Sequence, residues 1–118
     1  LGARRPVSIF GDGEQVRDFV YVRDVVAAFV AAMGRSAGAE IFNVCTGQGT
    51  TVAALARLVA RLLNIEVEFA FLPARPSDVR YSVGDPAGAT CALGFTADTS
   101  LEAGLDETVR ALRTVNAI

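Results

Sequence analysis

Short β-type runs alternate with amphipathic helical stretches along this chain, and that alternation restricts the possible fold more than any other feature of the sequence. The first run, Val7–Phe10, stops at Gly11-Asp12-Gly13, a strong turn signal. Three further runs rich in β-forming residues cover positions 18–22, 40–44 and 66–72, and the last of them alternates acidic with apolar residues. The pattern predicts an α/β fold with short strands and several helices.

Four helices are predicted between and after these runs. The first begins near Asp24 and ends at Gly34 or Gly38, and the second is capped by Thr50 or Thr51. A short helix runs from Asp85-Pro86 to Gly94, and Thr99 to Glu102 form a capping box before the last one. The apolar positions recur at helical spacing: Val25, Val26, Phe29, Val30 and Met33; Val52, Leu55, Leu58, Val59, Leu62 and Leu63; Leu101, Leu105, Val109 and Leu112.

Length and charge narrow the class of protein. The 118 residues allow one domain at most, and no apolar run reaches the roughly 18 to 20 residues that a membrane span needs. The net charge of −2, without a basic block, argues against nucleic acid as a partner. Cys45 and Cys91 lack metal or redox spacing, so we expect two small buried hydrophobes in a reducing compartment. A cytoplasmic protein without a membrane partner is predicted.

The chain has no His, and all eleven of its basic residues are Arg. This excludes a His-based triad, a Schiff-base lysine, a His metal site and a Tyr–Lys proton-transfer pair within these residues. We therefore predict no catalytic residue, no cofactor-binding residue and no metal ligand here. Any part that the chain takes in catalysis has to be something other than acid–base chemistry.

Three loops stand out, and each has a structural and a functional interpretation. "GDGEQVRD" is either a solvated turn, with Arg17 paired to Asp18 or Glu14, or an anion site. "TGQGT" is either a helix entry or a phosphate cradle, and "PARPSDVR" is either a rigid connector or part of a binding site. In the functional interpretation, the guanidinium groups of Arg17 and Arg75 clamp a diphosphate, and Asp78 accepts hydrogen bonds from a ribose diol.

Four blocks carry a resemblance to a known family. They are "IFGDGEQVRDFVYVRDVVAAFVAAM", "IFNVCTGQGTTVAALARLVARLL", "PARPSDVRYSVGDPAGATCALGF" and "TSLEAGLDETVRAL". In this order they resemble the extended short-chain dehydrogenase/reductases, the NAD-dependent nucleotide-sugar epimerases and dehydratases of which UDP-glucose 4-epimerase is the nearest type. The resemblance implies a small mixed sheet with flanking helices, the carboxy-terminal part of such an enzyme without most of its Rossmann domain. Residues 1–118 would then be a nucleotide-sugar-binding domain.

The resemblance also implies roles for particular residues. Arg17 and Arg75 would hold the diphosphate of a UDP- or dTDP-sugar, and Asp78 would meet the ribose hydroxyls. The first strand, at Ser8, Ile9 and Phe10, would offer backbone groups to the base. Gln15 and the turn at residues 11–13 would shape the loop as scaffold. Ser77 departs from the glycine of the family's "RPGD" form, which puts only the local backbone in doubt.

Family features that this chain lacks are expected upstream. No strand followed by G-x-x-G-x-x-G occurs here, and without Lys the family's Tyr-x-x-x-Lys pair is absent, so Tyr21 and Tyr81 are expected to be packing or loop residues. NAD would be bound by the missing amino-terminal domain, through which the parent enzyme would form a homodimer. The strand at 40–44 would have lost its neighbour and left an edge prone to self-association.

The leading expectation is a UDP-glucose 4-epimerase-like parent enzyme in which this segment binds the nucleotide-sugar substrate. The alternatives are a nucleotide-sugar dehydratase or decarboxylase of the same family, a non-catalytic module that senses nucleotide sugars, and a piece that folds without binding anything.

Overall fold

A computed structural model describes residues 5–36 and 38–115 of the chain. It contains short strands and helices in the alternating order that the sequence predicts, so the α/β fold class is confirmed. The elements are β1 (Val7–Phe10), β2 (Val16–Arg17), α1 (Val22–Met33), β3 (Thr50–Thr51), α2 (Val52–Leu63), β4 (Phe69–Leu72), β5 (Tyr81–Ser82), α3 (Ala87–Leu93) and α4 (Leu101–Thr114).

The strands form two small sheets. In the first, β1 pairs in parallel with β4, from Val7 opposite Phe69 to Phe10 opposite Leu72. In the second, β2 lies between antiparallel β3 and parallel β5, with Arg17 opposite both Thr50 and Ser82. Because β4 and β5 are joined by the loop at residues 73–80, the two sheets hold both ends of that loop beside the turn that joins β1 to β2.

Three of the predicted strands are wrong in extent or in kind. Residues 18–22 form no strand, because the strand at this place is β2 and helix α1 already begins at Val22. The fourth run is a strand only over Phe69–Leu72. Residues 40–44 form no strand within the described chain, and Phe42 and Val44 instead pack on the cluster of Ala28, Ala89 and Phe95.

The helix ends follow the predicted capping chemistry with one correction. Gly34 ends α1, Thr51 Oγ1 accepts the Ala54 N–H at the start of α2, and Gly94 ends α3 in the left-handed region. The N-cap of α4 is Ser100, whose hydroxyl accepts from Ala103, so the capping box predicted from Thr99 is wrong. Thr99 instead donates through its backbone N–H and its hydroxyl to Asp24.

The core is thin, and the molecule is a slab with principal extents of 56 × 37 × 18 Å. The apolar face predicted for α1 exists but lies largely exposed, because the helix turns Asp24 and Ala28 inward instead. Four of its five predicted members are exposed, namely Val26, Phe29, Val30 and Met33. No helix among the described residues is long and apolar enough to span a bilayer.

The two cysteines differ from each other. Cys45 is buried as predicted, and burial, with a smaller effect of nearby Asp18, raises the pKa of its thiol. Cys91 lies exposed on α3, so the prediction of two buried cysteines is wrong for this residue. The sequence of α3 has no clear apolar stripe, so it does not show which side of this short helix faces the core.

Candidate functional site

A pocket of about 240 Å³ lies between the end of β1 and the loop at residues 73–80. It contains five of the six binding residues predicted from the sequence, and the sixth, Arg17, is bonded to its wall through Asp78. A larger cavity of about 400 Å³ lies beside α4, but its lining has no charged side chain. The 240 Å³ pocket is lined by Ser8, Ile9, Phe10, Gln15, Val52, Arg75 and Asp78.

Arg17 and Asp78 form an ion pair across this pocket's edge. The Arg17 Nη2 lies 2.7 Å from Asp78 Oδ1, and its Nη1 donates to the Val16 carbonyl at 2.8 Å. About 30% of each of the two side chains is exposed, with values of 28% and 30%. The pairing of β2 with β5 brings the two residues together, and Arg17 pairs with neither Asp18 nor Glu14 as the solvated-turn interpretation required.

Arg75 lies against the ring of Phe10. Its guanidinium carbon is 3.9 Å from the ring centroid, a cation–π contact that fixes the group at the pocket wall. The Asp78 N–H donates to the Arg75 carbonyl at 3.1 Å, a turn that keeps both side chains at the same pocket. Among the described residues none accepts a hydrogen bond from the Arg75 side chain, so its N–H groups are available to a ligand.

Gln15 is buried in the floor of the pocket. Its Nε2 donates to the Phe10 carbonyl at 2.8 Å and lies 3.4 Å from Asp78 Oδ2. Its Oε1 is also buried, and no described protein group donates to it. A scaffold role was predicted for Gln15, but its burial and its contact with Asp78 were not. The sequence carries no local signal for either, since a Gln between a turn and an Arg is ordinarily exposed.

A second arginine fixes the loop at residues 73–80, and sequence reasoning missed it. Arg80 binds both carboxylate oxygens of Asp12, at 2.7 and 2.9 Å. This fork, together with the Glu14 backbone N–H, lowers the pKa of Asp12 to about 2. The Arg80 carbonyl also accepts from Val16 N–H, so the loop is tied to β2 by main chain as well as side chain. The arginine at the end of "PARPSDVR" indicates a charged contact, but nothing local indicates that its partner is Asp12.

The turn after β1 needs glycine because its backbone lies close to the start of α2. Gly13 has φ of +80°, and a Cβ there would lie 3.0 Å from the Ala53 Cβ at the start of α2. Its carbonyl accepts from the Ala53 N–H. The turn therefore packs on a helix, and glycine is needed for both its backbone angle and its size.

The glycine-rich segment "TGQGT" binds an anion that belongs to the chain itself. Asp18 accepts from Thr46 N, Thr46 Oγ1, Gly47 N and Gly84 N, at distances from 2.6 to 3.3 Å. Burial is the largest single effect on Asp18 and opposes ionisation, but these hydrogen bonds outweigh it and lower the pKa of the carboxyl. Of the two interpretations, the helix entry is the one seen, because the segment leads through Thr51 into α2.

The described residues offer no site that fits NAD. The glycine turn follows a strand, as a dinucleotide loop does, but it leads into β2 rather than into a helix N-terminus. The other glycine-rich segment already binds Asp18. The predicted packing role agrees with the structure for Tyr21, which lies against Gly104 and donates to Glu107 at 2.8 Å. Tyr81 is neither a packing nor a loop residue, because it lies exposed on β5, so the prediction is wrong for it. The described part of the chain holds no cluster of three potential metal ligands.

Comparison with known proteins finds similarity to one family. Residues 1–45 match the model of the NAD dependent epimerase/dehydratase family. A UDP-glucose 4-epimerase of Mycolicibacterium smegmatis is 40% identical over 113 residues, which are 96% of this chain and 36% of that protein. A crystal structure of UDP-glucose 4-epimerase with UDP-glucose from Thermotoga maritima matches 94% of this chain with a TM-score of 0.88 and 44% identity. Residues 1–45 are therefore similar to the NAD dependent epimerase/dehydratase family, and nearly the whole chain is similar to part of UDP-glucose 4-epimerases.

Other solved structures match the same region. MoeE5, in complex with UDP-glucuronic acid and NAD, has a TM-score of 0.87 and 37% identity over 93% of this chain and 37% of its own. The chain spans about a third of the length of these relatives and corresponds to the carboxy-terminal part of their fold. The resemblance drawn from the four sequence blocks is thereby confirmed.

Proposed function

We propose that residues 1–118 bind the nucleotide diphosphate part of a UDP- or dTDP-sugar within an NAD-dependent enzyme similar to UDP-glucose 4-epimerase. The observation that carries this proposal is the single pocket to which the end of β1, Arg75 and Asp78 all contribute, with Arg17 bonded to Asp78 at 2.7 Å. Both pyrimidine nucleotides are kept because the matched relatives include UDP-glucose 4-epimerases and a dTDP-L-rhamnose 4-epimerase from Burkholderia thailandensis.

The two arginines are assigned to the diphosphate. Arg75 has its guanidinium stacked on Phe10, which leaves the N–H edge of the group for phosphate oxygens. Arg17 uses two of its N–H groups on the Val16 carbonyl and Asp78, so further donors remain for a ligand. Two cations beside one carboxylate leave a net positive charge at this edge of the pocket, as a diphosphate requires.

The nucleoside is assigned to β1 and Asp78. One edge of β1 pairs with β4, and no strand of the described chain pairs with its other edge. The N–H groups of Val7 and Gly11 donate on the β4 side, so by alternation the backbone of Ile9 faces β4 too. The Phe10 carbonyl already accepts from Gln15. The backbone groups of Ser8 and the Phe10 N–H therefore remain for a base. Asp78 lies across the pocket from this edge with both carboxylate oxygens near donors. A carboxylate in this position suits a ribose diol, which offers two O–H donors close together.

In this proposal the chain contributes binding and orientation. Holding the nucleotide at a fixed place leaves the sugar pointing away from the pocket toward a cofactor bound elsewhere. The sugar and the cofactor then react within one complex, without having to meet in solution. NAD would supply the hydride chemistry from a domain outside residues 1–118. We also assign to that domain the homodimer contact, and we keep the cytoplasm as the location of the parent enzyme.

Calorimetric titration with UDP tests the proposal. The measurement uses the full-length protein that contains these residues, saturated with NAD so that its dinucleotide site is filled, with ADP as the control nucleotide. We expect saturable binding of UDP at one site, with ADP weaker because a purine differs from a pyrimidine in size and in its hydrogen-bonding edge. Absence of UDP binding, or equal affinity for UDP and ADP, would contradict the assignment.

A further inference from the structure

Gln15 contacts three separate parts of the pocket wall. Its side-chain Nε2 donates to the carbonyl of Phe10, the last residue of β1, and lies 3.4 Å from the carboxylate of Asp78. Its backbone carbonyl accepts from the N–H of Val52, the first residue of α2. All three partners line the same pocket, so the residue joins the strand, the loop and the helix that surround it.

The packing of Gln15 alone does not account for a glutamine at this position. Only 8% of the residue is exposed, and no described protein group donates to its Oε1. A buried acceptor without a donor is costly, whereas an unbranched apolar side chain of similar length would fill the same space without that cost. The feature that distinguishes glutamine here is the amide nitrogen, which lies between the Phe10 carbonyl and Asp78.

We propose that Gln15 is a positioning residue for the nucleoside half of the ligand, an inference that rests on the proposed function. The base and the ribose are joined by one glycosidic bond, so they bind together only when the β1 backbone and Asp78 are held at the right separation. The Gln15 amide spans these two groups. Neither arginine depends on it directly, since Arg75 is held by the Phe10 ring and Arg17 by Val16 and Asp78.

The test compares UDP with inorganic diphosphate in Gln15→Met, using the full-length protein and calorimetry. We expect the Kd for UDP to rise roughly 3- to 10-fold, the size of one lost hydrogen bond, while the Kd for diphosphate stays within about 2-fold. Gln48→Met is the matched control: it makes the same change in the exposed "TGQGT" segment, outside this pocket, and leaves both affinities unchanged.

The thermal midpoint of each variant is measured alongside, and Gln15→Leu is a second variant that lacks the amide donor without adding a charge to the pocket. UDP weakened in both Gln15 variants with diphosphate binding kept supports the inference. Equal weakening of UDP and diphosphate would make Gln15 a general scaffold residue and overturn it, as would unchanged UDP affinity. A wild-type protein that binds diphosphate but gains nothing from the uridine of UDP would refute the proposed function itself.

Discussion

Arg17 Nη2 and Asp78 Oδ1 lie 2.7 Å apart although 61 positions separate the two residues in the sequence. The strand pairing of Val16 with Tyr81 and of Arg17 with Ser82 brings the two segments together, and the Asp12–Arg80 fork holds them from the other side. The loop at residues 73–80 is therefore fixed on the turn after β1 by main-chain and side-chain bonds. The candidate site exists because of this double attachment.

Arg75→Ala should weaken UDP binding by about 10- to 100-fold, because a hydrogen bond between charged groups contributes roughly 1.5 to 3 kcal/mol. The measurement is the Kd by calorimetry or the KM of the full-length enzyme. Arg57→Ala is the matched control, since Arg57 also lies over a phenylalanine, Phe69 at 5.6 Å, but on α2 and outside the pocket. Equal losses of UDP affinity in the two variants would contradict the assignment of Arg75 to the diphosphate, because Arg57 lies outside the pocket.

Arg17→Ala should also weaken UDP binding while changing stability little. Its ion pair with Asp78 is partly exposed, so we expect a change in the free energy of unfolding of about 0 to 1 kcal/mol. Urea denaturation measures stability, and Arg110→Ala, which breaks the surface pair with Asp106, is the control for a lost ion pair away from the site. UDP affinity equal to that of the control variant would remove Arg17 from the proposed clamp.

Asp18→Asn should lower the free energy of unfolding by about 1 to 3 kcal/mol, the range for a buried polar group left with wrong partners. The Asn amide would present donors to the N–H groups of Gly47 and Gly84, which now share one carboxylate oxygen. Urea denaturation at pH 7 gives the value. Asp98→Asn is the control, because Asp98 is exposed.

The stability that Asp18 contributes should also depend on pH in one direction. The pKa of this carboxyl is lowered in the folded state, so its contribution is complete above the ordinary value of 3.8 and is lost as pH falls through the folded-state pKa. Urea denaturation at a series of pH values below 5 should therefore give a shallower loss of stability in Asp18→Asn than in the wild type. Parallel curves would contradict this expectation.

Asp12 should titrate near pH 2 in the folded protein and closer to 3.8 in Arg80→Ala. The Arg80 fork is the largest cause of the low pKa, and the Glu14 N–H keeps part of the effect in the variant. The ion pair is complete above pH 3.8 and is lost as pH falls toward 2. Carboxyl carbon shifts by NMR measure the pKa, and a value still near 2 in Arg80→Ala would show that the fork is not its cause.

The sequence predicts local structure here better than it predicts partners. The ends of helices at Gly34, Thr51 and Gly94 depend on the residue itself: Gly94 is the predicted end of α3, and Gly34 and Thr51 are each one of two predicted alternatives. A strand depends on a second segment, and residues 40–44 have β-forming side chains but no strand beside them in the described chain. The same reason explains β2, whose two residues become a strand only because Thr50 and Ser82 lie on either side.

The residues of the candidate site also divide into those that the local sequence predicts and those that depend on distant partners. Arg75 and Asp78 are three residues apart, so a turn in "PARPSDVR" was enough to predict that they act together. Arg17 was singled out for its charge, but its pairing with Asp78 depends on the arrangement of β2 and β5. Gln15 contacts Asp78, 63 positions away, and Arg80 binds Asp12, 68 positions away. No local sequence pattern predicts contacts over such separations.

The carboxylate of Asp18 inside the "TGQGT" segment has a consequence for how ligand binding responds to ionic strength. Dissolved anions are repelled from this segment, because a negative charge already occupies its backbone amides. Added salt therefore affects the binding of a dissolved anion through the arginines beside the pocket and not through this segment. The slope of log Kd against log salt concentration for a diphosphate will report on Arg17 and Arg75 without a contribution from the glycine-rich segment.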